Sequence, residues 1–269
     1  MNIKKPIFIV GHARGGSTLL ASIVNAHSAV GPKHQKSENY NPDDFKNYIR
    51  HLEFSEKLEQ KDIWFKYFKG KDCFTHMGKE IYESSITLNA GKIQNLKREL
   101  TKDFKEERFL SKAPTNSFRL KPILKIFPDS KIVVVLRHGE EVVASWGKRP
   151  YGFGKKVDWG NVKTKKLSYF KGINIFSKKW KEVIDVIEEV QDLSNIYILT
   201  YEDLVKNTTE VLSEVFEFLE LDYENYIDEI RLKYDRSKWK KELPFPYRLY
   251  LLAKVRKGNK KIEKLKTNA

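Results

Sequence analysis

A chain of 269 residues with 40% hydrophobic residues can bury a sizeable core, so its composition excludes a disordered protein despite 32% charged residues. The net charge of +15 favours an anionic partner but does not choose among nucleic acid, an anionic membrane, an acidic glycan and a phosphate-rich cofactor. The single cysteine, Cys73, excludes an internal disulfide, and no apolar run reaches the roughly 20 residues of a membrane span, so we expect a cytoplasmic protein.

The first predicted elements are a strand, a glycine-rich loop and a helix. Residues 6–10 are an apolar run typical of a buried strand, and residues 17–27 carry apolar side chains at helical spacing. Residues 31–45 are polar and rich in turn formers, which predicts a loop, whereas residues 46–105 indicate helix only in patches.

Strands and helices then alternate along the chain. Strands are predicted at 108–114, 131–137 and 195–200, helices at 115–127, 139–147, 168–191 and 208–220, a loop at 150–164, and a basic helix at about 246–266. Apolar strands that alternate with helices predict an α/β fold, with a central parallel sheet flanked by helices on both faces. We expect a single domain over residues 1–269.

The loop "GHARGGSTLL", residues 11–20, has nearly the spacing of a nucleotide-binding P-loop. Gly11, Gly16 and Thr18 are in place, but Ser17 stands where the P-loop lysine would be. Glycines let the backbone approach a ligand, and the N–H groups at a helix start favour an anion. Because Arg14 supplies a guanidinium inside the loop, we predict a site for phosphate or a similar anion.

The apolar strand 131–137 predicts a second anion site. It ends in Arg137, where a P-loop kinase would place a carboxylate for magnesium. Ser145 follows eight residues later and Arg149 four residues after that, so these side chains are expected to converge on a phosphate separate from the first one. The sequence therefore predicts two anion sites and no metal site.

Two anions at opposite ends of one ligand describe 3′-phosphoadenosine 5′-phosphosulfate (PAPS), and the chain resembles the PAPS-dependent sulfotransferases, in particular the branch with bacterial and Golgi-type members. Three blocks carry the resemblance, in the expected order across residues 6–221: "PIFIVGHARGGSTLLASIVNAHSAV", "FLSKAPTNSFRLKPILKIFPDSKIVVVLRHGEEVVASW" and "YEDLVKNTTEVLSEVFEFLEL". The resemblance implies a P-loop-like three-layer fold and PAPS as the sulfuryl donor, with 3′-phosphoadenosine 5′-phosphate (PAP) as the product.

The resemblance also implies the binding residues. The 5′-phosphosulfate would be held by Arg14, Gly15, Gly16, Ser17 and Thr18, the 3′-phosphate by Arg137, Ser145 and Arg149, and Tyr201 would border the adenine. This chain departs from the family pattern at two places. Gly15 and Ser17 stand where Ser and Thr are frequent, and His138-Gly139 stands where the family has Asp-Pro.

For catalysis, Lys112 in "SKAP" matches the family lysine that approaches the transferring group, and with Arg14 it would stabilise negative charge. The acceptor hydroxyl needs a general base. Gln35 occupies the register in which family members often have a Glu, so Glu38 and His34 are the candidates. The segment "SKWKKELP", residues 237–244, resembles a late family segment near the active site, and its lysines either are solvated or close over the phosphosulfate.

Two other functions stay open on the sequence alone. Glu202 and Asp203 follow a strand and would suit magnesium in a small-molecule kinase, and the basic C-terminus would suit a non-catalytic polyanion-binding protein. For a sulfotransferase, we expect a hydroxyl-bearing acceptor, on a carbohydrate or a small molecule, and no nucleic acid. The basic C-terminal helix either is solvated or contacts a membrane surface or a polyanion.

Overall fold

The computed structural model describes residues 4–31, 90–101, 108–148, 167–232 and 237–267, together with residues 153, 158–159, 162–163 and 235. The strands within these ranges are β1 (Ile7–Gly11), β2 (Val30–Gly31), β3 (Arg108–Lys112), β4 (Lys131–Leu136), β5 (Asp158–Trp159), β6 (Val162–Lys163) and β7 (Ile196–Thr200). Five of them form one parallel sheet in the order β2-β3-β1-β4-β7, and β5 pairs with β6 as an antiparallel hairpin.

The helices in the same ranges are α1 (Ser17–Ala26), α2 (Ala90–Thr101), α3 (Leu120–Ile126), α4 (Gly139–Gly147), α5 (Tyr169–Glu188), α6 (Tyr201–Lys206), α7 (Thr208–Leu219), α8 (Tyr226–Glu229), α9 (Lys238–Glu242) and α10 (Phe245–Thr267). A 3₁₀ helix, Pro114–Arg119, precedes α3.

Strand β1 is buried along its whole length because helices cover both faces of the sheet. Ile7 and Ile9 pack into the core shared with α1 and α7, whereas Phe8 and Val10 pack into the core shared with α3, α4, α5 and α10. The alternation of side chains along a strand places successive residues on opposite faces. The predicted α/β fold with three layers is therefore confirmed.

The parallel sheet brings the carboxyl ends of the strands to one edge. Ile9 lies opposite Lys112 of β3, and Gly11 lies opposite Val135 of β4. The chain enters α1 and α4 directly from this edge, and in open parallel sheets ligands bind at the carboxyl ends of the strands. The loop after β1 and the turn after β4 are thus neighbours.

Helix α10 begins and ends one residue beyond the predicted basic helix at 246–266. Leu251, Val255, Ile262 and Leu265 are buried against the rest of the protein, and the helix packs on α4 and α5. No helix in the described ranges is long and apolar enough to cross a membrane.

Three sequence predictions need correction. The helix expected at 115–127 is the 3₁₀ helix followed by α3, because Asn116 closes a three-residue turn with its N–H 3.0 Å from the Ala113 carbonyl oxygen. The loop expected at 150–164 contains the β5–β6 hairpin, which the intervening Gly-Asn pair signals in the sequence. The turn expected after β7 is helix α6, which the Thr200 side chain caps by accepting from the Asp203 N–H.

Candidate nucleotide-binding site

The loop between β1 and α1 is a tight turn. The Gly15 N–H donates to the His12 carbonyl oxygen at 2.8 Å, and Arg14 and Gly16 have positive φ angles of 75° and 102°. Gly11 also has a positive φ, and a Cβ atom there would lie 2.2 Å from the Val135 carbonyl oxygen. Glycine is therefore required at both positions by the backbone conformation, and at 11 also by the contact with β4.

Helix α1 starts with no side-chain cap. Its N-cap residue is Gly16, which has no side chain to accept a hydrogen bond from the first turn. The first N–H groups of a helix lack partners within the helix, so this end is suited to an anion. Ser17 is buried and Thr18 is exposed in the first turn, and the exposed Arg14 lies in the loop before them.

A hydrogen bond joins this loop to α4. Arg14 Nε donates to Ser145 Oγ at 3.0 Å, and Arg137 Nη1 donates to the Arg14 carbonyl oxygen at 3.3 Å. The sequence assigned Arg14 to one anion site and Arg137 and Ser145 to a separate one. The structure brings all three residues together, so the two predicted sites are contiguous.

Arg137 is held from two sides. Its Nε donates to Glu141 Oε2 at 2.8 Å, and its Nη2 pairs with the same oxygen. The guanidinium carbon lies 4.2 Å from the centre of the Tyr201 ring. Glu141 was missed in the sequence, although its position four residues after Arg137 at the start of a helix is the spacing at which ion pairs form.

Tyr201, in the third sequence block, contacts residues of the other two blocks. Its ring stacks against the Arg137 guanidinium, and a Cβ atom at Gly16 would lie only 2.3 Å from Tyr201 Cδ2. Burial raises the pKa of the Tyr201 hydroxyl further above its ordinary value, and the protonated hydroxyl can donate a hydrogen bond near neutral pH. The residue predicted to border the adenine therefore lies between both predicted anion-binding segments.

A cavity of about 840 Å³ opens next to Arg137 and Tyr201, within the range of roughly 300–1,000 Å³ typical of small-molecule sites. Three lysines and two carboxylates line it beside the aromatic rings of Phe153 and Tyr169: Lys148, Lys238, Lys241, Asp235 and Glu242. Glu242 pairs with Lys148, and Asp235 lies 3.8 Å from Lys241. The segment 237–244 thus contributes lysines to the wall of this cavity.

Lys112 ends β3 at the same edge of the sheet and is only 7% exposed. The 3₁₀ helix that follows Lys112 contacts the start of the glycine-rich loop. Ser117 Oγ accepts from the Gly11 N–H at 2.9 Å and donates to the Gly11 carbonyl oxygen at 3.1 Å. Ser117 therefore fixes the start of the glycine loop, a role that the sequence gave no reason to expect because the two residues are 106 positions apart.

His12 is buried at the entrance of the loop, with its Nδ1 2.5 Å from the Ala13 carbonyl oxygen. Burial lowers the pKa of its imidazole from 6.5 to about 4. His12 is consequently neutral near pH 7, and the positive charge of the loop comes from Arg14. The predicted site residues His34, Glu38 and Arg149 lie outside the described residues.

The family model of the sulfotransferase family matches residues 6–225. The chain belongs to the sulfotransferase family. This match spans all three sequence blocks on which the resemblance was based.

Solved sulfotransferases have a similar fold. The sulfotransferase domain from the curacin biosynthetic pathway aligns over 95% of this chain and 98% of its own, with 19% identity and a TM-score of 0.52. A mouse sulfotransferase complexed with PAP aligns over 98% of this chain and 89% of its own, with 12% identity and a TM-score of 0.51. At these identities the likeness establishes the P-loop-like sulfotransferase fold.

An uncharacterized protein of Aquifex aeolicus is 24% identical over 263 residues. The alignment covers 95% of this chain and 29% of that protein, so this sulfotransferase-family chain spans less than a third of that relative's length.

The carboxylates that would favour a kinase make other bonds in this member of the sulfotransferase family. Glu202 Oε1 accepts from the His138 N–H at 3.1 Å, and burial raises the pKa of the Glu202 carboxyl. Asp203 accepts from the Thr200 hydroxyl at 2.6 Å and from Lys266 Nζ at 2.8 Å. Both side chains therefore hold the start of α6 and its neighbours together.

Proposed function

We propose that this protein transfers a sulfuryl group from PAPS to a hydroxyl of an acceptor, on a carbohydrate or another small molecule. The observation that carries the proposal is the contact of Gly16, Arg137 and Tyr201 beside the lysine-lined cavity. Membership in the sulfotransferase family supports it. The PAP bound in the mouse sulfotransferase supports PAPS as the donor.

The residues present fit a nucleotide with two anionic groups. The uncapped start of α1 and Arg14 would hold the 5′-phosphosulfate, whereas Arg137 and Ser145 would hold the 3′-phosphate. Arg14 Nε and Ser145 Oγ are hydrogen-bonded to each other at 3.0 Å, so both side chains are within reach of one bound molecule. Lys238 and Lys241 add positive charge to the same cavity.

In the reaction, the acceptor oxygen forms a new bond to sulfur while the bond from sulfur to the bridging phosphate oxygen breaks, and PAP leaves with that electron pair. The chain has to orient the two reactants and stabilise the charge on the leaving oxygen. We assign charge stabilisation to Lys112 and Arg14. The acceptor proton passes to a general base, for which Glu38 and His34 stay the predicted candidates.

Ligand-dependent thermal unfolding tests the donor. PAP at 100 times its Kd adds about 2.7 kcal/mol of stability, equivalent to roughly 5 °C for a protein of this size, and ATP with magnesium should add less. Transfer of label from PAPS to a panel of sugars, phenols and glycans then tests the reaction. Stabilisation by ATP with magnesium and none by PAP would favour the kinase instead.

We also propose that the outer face of α10 binds an anionic membrane surface. Three apolar side chains project into solvent at the spacing of one helical stripe: Phe245 is 65%, Leu249 57% and Leu252 41% exposed. Further along the helix, Arg256, Lys257 and Lys260 are exposed, and no carboxylate of the described ranges forms an ion pair with them. Apolar groups beside cations are typical of helices that lie at a lipid interface.

Co-sedimentation with lipid vesicles tests this surface. Binding to phosphatidylcholine vesicles should require added phosphatidylserine, and Leu249→Ser and Arg256→Glu should each weaken it, because they remove the apolar and the electrostatic contribution. Lys206→Ala, an exposed lysine on α6, is the control. Equal binding to neutral vesicles, or vesicle binding that both substitutions leave intact, would contradict the assignment.

A further inference from the structure

The turn after Arg137 is held by the C-terminal helix. The Gly139 N–H, at the start of α4, donates to Asn259 Oδ1 of α10 at 2.9 Å. The amide nitrogen of the same side chain, Asn259 Nδ2, donates to Glu140 Oε2 at 2.8 Å. The N-cap residue, His138, provides no side-chain cap, so a side chain 120 residues away in sequence performs this role.

Two further bonds restrain the same turn. The His138 ring nitrogen Nε2 lies 2.9 Å from Glu263 Oε1, one turn beyond Asn259 on α10. The Arg137 carbonyl oxygen accepts from Trp180 Nε1 at 3.0 Å. The backbone that carries the Arg137 side chain is thus bonded to α5 and followed by two residues bonded to α10.

Close packing also brings α10 against the turn. A Cβ atom at Gly139 would lie 2.6 Å from Val255 Cγ1, and a Cβ atom at Gly258 would lie 2.4 Å from the Trp180 ring. Helix α10 therefore approaches the turn and α5 as closely as glycine permits. Glycine has more backbone freedom than any other residue. Hydrogen bonds from α10 to His138, to the Gly139 N–H and to Glu140 restrict that freedom at Gly139.

We propose that Asn259 is a positioning residue of the nucleotide site, which holds Arg137 in place through the His138-Gly139 turn. This inference rests on the proposed function, because it concerns the same binding site. A buried N–H without an acceptor destabilises a protein. Gly139 has an N–H group, unlike a proline at the same position, and Asn259 supplies the acceptor for it. Removal of Asn259 should loosen the turn and misplace the Arg137 guanidinium relative to Glu141 and Tyr201.

The test compares Asn259→Ala with Asn174→Ala. Asn174 of α5 accepts from the Tyr250 hydroxyl of α10 at 2.8 Å, so its removal also deletes a bond between α10 and the rest of the protein, but away from the turn. We expect Asn259→Ala to raise the Kd for PAP about tenfold, the lower end of the effect known for residues that hold metal ligands in place, and Asn174→Ala to change it less than about twofold. Thermal unfolding shows whether both variants are folded.

A charge exchange provides the second variant. Asn259→Asp places a carboxylate against that of Glu140 and should weaken PAP binding. In the double variant Asn259→Asp with Glu140→Gln, the new carboxylate can accept from both the Gly139 N–H and the amide at 140, so both hydrogen bonds are restored. The double variant should recover PAP binding to within about threefold of the natural protein. A double variant as weak as Asn259→Asp would overturn the proposal, as would equal PAP affinities for the two alanine variants.

Hydrogen exchange separates this inference from the proposed function. Asn259→Ala should accelerate exchange in a peptide covering residues 138–142, and Asn174→Ala should not, whether or not any nucleotide binds. If the natural protein fails to bind PAP, the proposed function fails, and the exchange result alone then decides whether Asn259 holds the turn. Unchanged hydrogen exchange at residues 138–142 in Asn259→Ala would contradict the inference.

Discussion

Gly16 and Tyr201 are in such close contact that a single methyl group at residue 16 would lie 2.3 Å from the tyrosine ring. The contact joins the loop after β1 to the first residue of α6, which directly follows β7, and Gly16 has a φ of 102°, which other residues rarely adopt. Gly16→Ala should therefore destabilise the protein by about 1–3 kcal/mol and weaken PAP binding at least tenfold. Urea unfolding and calorimetric titration measure the two effects.

Tyr201→Ala in the Gly16→Ala background is the control for the clash. It removes the ring and should recover part of the lost stability, whereas the strain from the positive φ persists. Simple additivity of the two substitutions would show that the ring and the loop are not in contact.

Replacement of Arg137 separates binding from stability. Arg137→Ala removes the cation beside Glu141, whose side chain is 6% exposed, and should cost about 2 kcal/mol of stability as well as most of the PAP affinity. Arg137→Ala with Glu141→Gln should recover part of the stability, because the buried negative charge is then removed together with the cation that pairs with it, but it should not recover PAP binding. Recovery of both would mean that Arg137 acts only as a structural partner of Glu141.

Lys112 is predicted to act in the chemical step. Lys112→Ala should lower kcat about 10²–10³-fold, the usual effect of removing a donor that stabilises transition-state charge, and should change the Kd for PAP far less. Single-turnover transfer from labelled PAPS and calorimetry with PAP give the two numbers, with Lys206→Ala as the control. Equal losses in turnover and PAP affinity would remove Lys112 from the chemistry.

His12 predicts a pH dependence of folding. In the folded protein burial lowers the pKa of its imidazole to about 4, whereas the unfolded chain takes up a proton below the ordinary value of 6.5. Stability should therefore fall as the pH drops from about 6.5 to about 4, by roughly 3 kcal/mol in total. Urea unfolding of the natural protein and His12→Asn at several pH values gives the difference, and parallel stability curves would show that His12 does not titrate in this way.

The fold was readable because its signals are local. The apolar runs of β1 and β4 and the glycines between β1 and α1 are each recognisable within a window of a few residues, and the alternation of apolar strands with helices along the chain predicted a parallel sheet with helices on both faces. The contact of Arg137 with Tyr201 was not readable, since the resemblance names both residues but no local pattern fixes their distance. Ser117 and Asn259 could not be found at all, because each bonds to backbone more than 100 positions away.

Calorimetric titration with PAP and with adenosine 5′-phosphate, in the absence of magnesium, tests the central claim most directly. The two ligands differ only in the 3′-phosphate, which Arg137 and Ser145 are proposed to bind. PAP should bind at least about tenfold more tightly, and Arg137→Ala should abolish the difference. Equal affinities for the two ligands in the natural protein would contradict the account.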